Sequence, residues 1–478
     1  MILKQIQELI RLKREYSEEK KLASSGKDYE SSFSEFIASK LPVQQIVSIH
    51  LGLDFGTSYT KVCFRQLETA DSGVLFLDRG DEFGFIESSV KIYEEEIITP
   101  FDDNWDKTSN QIHKIDNLKM ILLDKNFSEE KVDAEMLNIL IIYYLARIIQ
   151  QSRISFIEQQ KERCFNKSIH WSASIGVPVK YFDSKELTVI QDLFNIAWQL
   201  SEIVNLSNKI QNVSEIIRNV KNRTDRCNIP CFAVPEVVAA ICSFINSQAA
   251  MDNIYLFMDI GGGTFDISSF SLINNQGEKR INILDTQIEP LGIKGFVNKY
   301  VYAVNGDWKE NSDQIKKYVE KCLFNSNRST HKLTDCNWEQ GEEDIKQLVA
   351  KAVMNAKTVD DKNWFSKMQE LQIFLGGGGS ESPWYKESIN RTYVNRQLKN
   401  SGIPCFRFQE MGIPDDFHLD EKFLKKFHRY AVSYGLSHPD YEYPQVIGFP
   451  RVNQIVEAKK FKKFDYDAKA RELYGKPL

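Results

Sequence analysis

Two stretches of the chain end an apolar run on an aspartate and follow it with glycine and small hydroxylated residues. In LGLDFGTSYT these are Asp54, Gly56, Thr57 and Ser58; in MDIGGGTFDIS they are Asp259, Gly261, Gly262, Gly263 and Thr264, with Asp266 two residues further on. Consecutive glycines are costly to order, and their use at a strand end makes sense if the backbone itself is the ligand. Successive N–H groups with no side chain in the way form a nest for an anion, and the chemistry this suits is the binding of a phosphate. Two such turns facing one another would clamp the phosphate tail of a nucleotide. Carboxylates at Asp54 and Asp259 would repel that tail unless a divalent cation stood between them. Magnesium is the natural mediator, because it keeps several waters and needs few protein ligands directly.

The elements that must position these residues are strands. Each aspartate closes a run rich in Ile, Val, Leu and Met, and a second strand-like run follows each turn, so one strand-turn-strand unit occurs twice. Two similar lobes, each offering its turn to a shared cleft, are the expectation. A third glycine turn, IFLGGGGSESPWYKESI, again follows an apolar strand and precedes a helical pattern. Between the repeated units, SASIGVPVKYFDSKELTVIQDLFNIAWQ predicts a buried strand, a break at Pro178 and a helix, with Asp183 and Glu186 at capping-box spacing. Strands alternate with helices, so the fold class is α/β. Ile203, Leu206, Ile210, Val213, Ile217 and Val220 recur at helical spacing and predict a short seam, packed on its own domain or offered to a partner. Ahead of Pro42, Ile2, Ile6, Leu9 and Ile10 form one stripe, and Tyr29, Phe33, Phe36 and Ile37 another, as in two helices split at SSGK.

Composition excludes little but points one way. A length of 478 residues implies two domains or one bilobed unit, and 42% hydrophobic with 27% charged residues is ordinary for a globular protein. The formal charge of -5 gives no pull toward nucleic acid or an anionic membrane. The N-terminus lacks a signal-peptide pattern, and the greasiest segment, MLNILIIYYLARII, is interrupted by Asn138 and Arg147 and reads as a buried helix rather than a membrane span. A cytoplasmic protein is the default. The eight cysteines are scattered, and Cys227 and Cys231 have no second pair at zinc-like spacing, so reduced thiols are expected.

LGLDFGTSYT resembles the first phosphate motif, and FMDIGGGTFDIS the second, of the seventy-kilodalton heat-shock chaperone ATPases within the actin and sugar-kinase superfamily; IFLGGGGSESP is similar to their adenosine motif. SIGVPVKYFD, VPEVVAAI, LGIKGFVNKYV and HRYAVSYGLS resemble further family segments in family order. The resemblance implies a bilobed actin-like ATPase fold with duplicated ribonuclease-H-like lobes: an N-terminal helical extension over 1–45, a first lobe over 46–250, a second over 251–450 whose closing helix returns to the first, and a basic, aromatic tail over 451–478. It implies ATP or ADP as ligand, with hydrated magnesium held by Asp54 and Asp259. Gly56, Thr57, Ser58, Gly261, Gly262, Gly263 and Thr264 would cradle phosphates, and Asp266 would position or activate the attacking water. Gly292 and Gly295 would sit in the turn that lines the cleft, and Gly377, Gly378 and Ser380 would border adenosine.

Two departures stand out. The family's glutamate precedes the proline of the connecting helix, whereas here Val234 precedes Pro235 and the acid, Glu236, follows it. The family's lysine between the first two motifs has no assigned counterpart; Lys91 and Lys107 fall in the interval. About forty residues follow the closing segment in this sequence, so the expected activity is a slow ATPase without a peptide-binding domain: a conformational switch read by partner proteins at the N-terminal helices or the 203–220 seam. The alternatives are a nucleotide-binding scaffold without turnover and an actin-like filament-forming ATPase.

Overall fold

The computed structural model describes residues 45–448 except 110, 124–132, 165–166, 179–184, 223–228, 248, 276–277, 302–309, 327–335 and 395. The N-terminal stripes, the C-terminal tail, Cys227 and the Asp183–Glu186 capping pair therefore lie outside the residues whose structure or side chains are described.

Two sheets dominate. The first contains β1 (Gln45–Phe55), β2 (Tyr59–Gln66), β3 (Ser72–Val74), β4 (Ile86–Glu87), β8 (Lys167–Val177), β9 (Cys231–Pro235) and β15 (Phe417–His418), in the order β15-β3-β2-β1-β8-β9 with β4 beside β2. A small sheet between them in sequence holds β5 (Val90–Tyr93), β6 (Glu96–Ile98) and β7 (His113–Ile115). The second large sheet, from β10 (Asn253–Ile260), β11 (Phe265–Asn275), β12 (Glu278–Glu289), β13 (Glu370–Gly376), β14 (Cys405–Gln409) and β16 (Gln445–Ile447), runs β14-β13-β10-β11-β12-β16. The sheets repeat one topology. In each, an antiparallel meander of three strands (β1-β2-β3, β10-β11-β12) is extended on its first strand by two parallel strands (β8-β9, β13-β14). The chain is thus mixed α/β, and the repeat seen in the sequence is a repeat of topology.

Alternation of side chains along a strand decides which core each face feeds. Val47, Ile49, Leu51 and Leu53 of β1 enter a core with the helices α2 (Ala134–Gln159) and α3 (Lys185–Ser201). Ile254, Leu256, Met258 and Ile260 of β10 enter a second core with α8 (Trp338–Thr358), after α4 (Ile210–Lys221), α5 (Glu236–Ala240), α6 (Ile293–Tyr300) and α7 (Glu310–Leu323) in chain order. The alternate residues Tyr255 and Phe257 turn the other way, into a third core that joins the sheets through α5 and the short α10 (Ala431–Leu436), which follows α9 (Pro383–Val394). Backbone approach there is close enough to require glycine. A Cβ on Gly52 of β1 would lie 2.2 Å from the Ser433 carbonyl, and one on Gly435 would lie 1.9 Å from that of Ala239.

The apolar segment at 136–149 lies within α2, whose Asp133 cap accepts from the N–H groups of Glu135 and Met136, and among the described residues no helix is long and apolar enough to cross a membrane. The 203–220 seam is corrected. Helix α3 ends at Ser201 and α4 begins only at Ile210, because the intervening chain is pinned to the β5–β6 hairpin: Ile97 N–H donates to Asn208 O and Ile210 N–H to Glu95 O. Val213 and Ile217 are buried in the first core, with Leu206, Ile210 and Val220 packed against it. The apolar positions thus pack on the protein's own core, as one of the two expectations had it, though not as one continuous helix.

Candidate functional site

A cleft of about 300 Å³ opens between the two sheets. The first turn links β1 to β2 and the second β10 to β11, and they meet across it. A Cβ on Gly262 would stand 2.1 Å from Ser58 Oγ, and one on Gly263 2.8 Å from Thr57 Cγ2. The second turn is braced from behind by the start of α6: Gly292, Ile293 and Lys294 donate their N–H groups to the carbonyls of Gly263, Gly261 and Gly262. With those carbonyls occupied, the amides face elsewhere. Among the described residues the N–H groups of Thr57, Ser58, Gly262 and Gly263 donate to no protein acceptor. A row of N–H groups along a cleft with no protein acceptor suits an anionic ligand.

The third turn comes up beside the second. Gly377 has φ +74°, which a side chain would strain, and its Cβ would fall 2.2 Å from Asp259 Oδ1. Asp54, Gly56, Thr57, Ser58, Glu236, Asp259, Gly261, Gly262, Thr264, Asp266, Gly377 and Gly378 line the cleft. Others of the sequence-derived set stand behind it. Gly292 and Gly295 press on the backbone of the second turn, within 2.6 Å of Gly261 O and 2.2 Å of Gly263 O for a notional Cβ, while Pro290, Ile293 and Lys294 form the wall. Ser380 is buried and ties its own turn, donating from Oγ to Gly377 O at 2.7 Å.

The floor carries four carboxylates and two lysines. Asp54 faces Lys61 across the β1–β2 hairpin, with Nζ to Oδ2 at 2.7 Å, whereas Asp259 faces Asp266 across β10–β11. Like charges opposite one another in a ladder repel. Burial, reinforced by Asp54 and Glu236 against the pull of Lys61 and Lys119, raises the Asp259 carboxyl to about 6. Burial, with Asp259 and Glu236, raises that of Asp266 to about 8. Each has an Oδ1 that is buried without a hydrogen-bond partner.

Glu236 opens α5 directly after Pro235, lying across Gly176 of β8, where a Cβ would stand 2.7 Å from its Cγ. It forms an ion pair with Lys119 of the short helix α1 (Leu118–Leu123). Burial works against the Lys119 ammonium, but Glu236, Asp54 and Asp266 outweigh it and hold its pKa above the usual lysine value. With all six groups ionised the floor keeps an excess of two negative charges.

Lys61 and Lys119 were not singled out from sequence. Lys61 was legible, since Asp54 to Lys61 and Asp259 to Asp266 have the same spacing in the two repeats; Lys119 carries no such signal. Lys91 is away from the cleft, over the Trp105 ring at 4.7 Å and bonded to the carbonyls of Trp105 and Lys107. Among the described residues no three His, Cys, Asp or Glu side chains cluster closely enough to hold a metal ion by themselves. No family model matches the chain, and no curated protein matches it.

Proposed function

We propose that the cleft binds Mg-ATP and hydrolyses it slowly, and that the chain is a nucleotide-dependent conformational switch of the heat-shock chaperone ATPase kind, with a bilobed actin-like fold, read by partner proteins. A cytoplasmic setting belongs to the same reading. The observation that carries it is the pair of facing turns, with N–H groups that have no protein acceptor, in one cleft with four carboxylates and two lysines. A polyphosphate alone would meet that floor with repulsion; a polyphosphate with a divalent cation would not. The orphaned oxygens of Asp259 and Asp266 suit the waters of a hydrated cation, and Asp54 and Asp259 are the carboxylates that would hold it. When bound, magnesium supplies neutralisation of the developing phosphate charge.

The chain's own residues do the rest. Lys119, kept protonated by Glu236, places a fixed positive charge among the phosphates, and Lys61 neutralises Asp54. Asp266, in its ionised form, would accept a hydrogen bond from the attacking water. Phosphoryl transfer asks for this kind of positioning and electrostatics rather than covalent chemistry.

A second reading, a nucleotide-binding scaffold without turnover, is favoured by the same carboxyl: at about 8 it is mostly protonated near neutral pH and cannot take a proton. Phosphate release under single-turnover conditions, with magnesium and with EDTA, separates the two. For the ATPase we expect magnesium-dependent release that falls at least about a hundredfold in Asp259→Asn, the usual scale for losing an electrostatic catalytic group. Equal turnover in wild type and variant would remove Asp259 from the site.

A further inference from the structure

The cleft is also lined by a cation that neither the glycine turns nor the carboxylate floor explains. Arg429 lines the cleft from the segment just before α10, far in sequence from the three turns. Its guanidinium lies over the Phe85 ring, 4.3 Å from the centroid, with Phe83 at 5.9 Å, so one face is fixed on an aromatic shelf. The Gly378 turn approaches its edge: Nη2 would stand 3.7 Å from a Cβ on Gly378. Nε is buried and has no hydrogen-bond partner. Among the described residues no carboxylate pairs with the guanidinium. Glu381, whose charge it feels, is engaged through both oxygens by Lys426 at 2.7 Å.

A guanidinium oriented by packing on the wall of a cleft, with its Nε buried and unpartnered, is suited to an anionic ligand. With one face held by Phe85, the donor edge stays open to a ligand, and a donor edge calls for anionic oxygen. Resting on the nucleotide assignment above, we propose that Arg429 is a phosphate-binding residue, donating from its edge to phosphate oxygens of the nucleotide that lie between it and Gly378. Gly377, next to Gly378 in the same turn, abuts Asp259, so Arg429 and the carboxylates approach one turn of one cleft.

The test is equilibrium binding of four probes to the full chain with magnesium: ATP, ADP, inorganic tripolyphosphate and adenosine. Arg429→Gln is expected to weaken ATP, ADP and tripolyphosphate by about tenfold to a hundredfold, the range for a charge-assisted hydrogen bond, while adenosine changes less than about twofold. Arg429→Lys keeps the charge without the planar fork and should fall between. Phe85→Leu, which removes the shelf but not the cation, should cost a few-fold in the same three probes. Unfolding midpoints of the variants separate loss of binding from loss of fold, and Arg429→Lys serves if Arg429→Gln does not fold. Losses confined to ATP, ADP and adenosine, with tripolyphosphate unaffected, would make Arg429 a base-stacking residue and overturn the proposal. Unchanged binding of all four by the variants would overturn it while leaving the nucleotide assignment intact. Failure of the wild-type chain to bind either ATP or tripolyphosphate would remove both.

Discussion

Replacing Asp266 by asparagine should stabilise the ligand-free protein, and more so the higher the pH. Folding places the carboxyl opposite Asp259 and away from water, raising it from 3.8 to about 8. In the window between those values the folded state holds a proton that the unfolded chain has released, so stability falls as pH rises through it. Below the lower value both states are protonated and the penalty vanishes; above the upper value it is complete. At about 1.4 kcal/mol per tenfold, the full penalty has a ceiling of about 6 kcal/mol. Part of it belongs to the charge of Asp259, so we expect Asp266→Asn to gain about 2–4 kcal/mol at pH 8.5 and about 1 kcal/mol at pH 5. Asparagine has the shape of the protonated acid and carries no charge at any pH, so packing should be little changed.

Urea unfolding in EDTA at both pH values, followed by tryptophan fluorescence and by circular dichroism, reads the difference; agreement of the two probes guards against separate melting of the cores. Added magnesium should narrow the gap by stabilising wild type more than the variant. A variant less stable than wild type at pH 8.5, or a gap that is the same at both pH values, would refute the reasoning, because either outcome denies that a buried, repelled carboxylate stands at this place.

Two further perturbations bear on the floor and the turns. Lys119→Met or Glu236→Gln alone leaves a buried charge without its partner and should cost about 3–5 kcal/mol, while the double variant should cost far less than the two together; additive losses in urea unfolding would mean the pair is not coupled. Gly262→Ala forces a methyl to within 2.1 Å of Ser58 Oγ and should open the turns and weaken ATP at least about tenfold. Adding Ser58→Ala removes the hydroxyl and leaves a 3.0 Å contact with Ser58 Cβ, so nucleotide titration should show partial recovery.

What could be read from the sequence was what local chemistry determines. The glycine turns at 56–58, 261–264 and 377–380 were legible because an aspartate or glycine ends each strand and period-two apolar residues lead into it; neither depends on distant parts of the chain. Lys119 was not. It belongs to a short helix that tertiary packing brings beside Glu236, 117 residues away in sequence, and no spacing in the sequence encodes that. Arg429 was hidden for the same reason, since its shelf, Phe85, and its facing turn, Gly378, come from different sheets' connections. The 203–220 seam failed in the opposite direction. Its apolar spacing is real and does pack on the core, but backbone bonds to the β5–β6 hairpin at Asn208 and Ile210 interrupt the helix, and a tertiary hydrogen bond leaves no mark on periodicity.

The two repeats differ most where they should be most alike. Opposite the turn aspartate, one hairpin places Lys61 and the other Asp266, at the same spacing and the same ladder position. In the first the carboxylate is neutralised by a neighbour 2.7 Å away; in the second it is doubled, and both members are pushed toward their protonated forms. A duplicated scaffold with matched charges would give a symmetric cleft in which either turn could take either end of a polyphosphate. The asymmetry breaks that tie. Asp259 and Asp266 concentrate the negative charge, Lys61 and Lys119 moderate the field around it, and Arg429 adds a positive charge on the same cleft, so the field a charged ligand would meet is not symmetric between the two repeats.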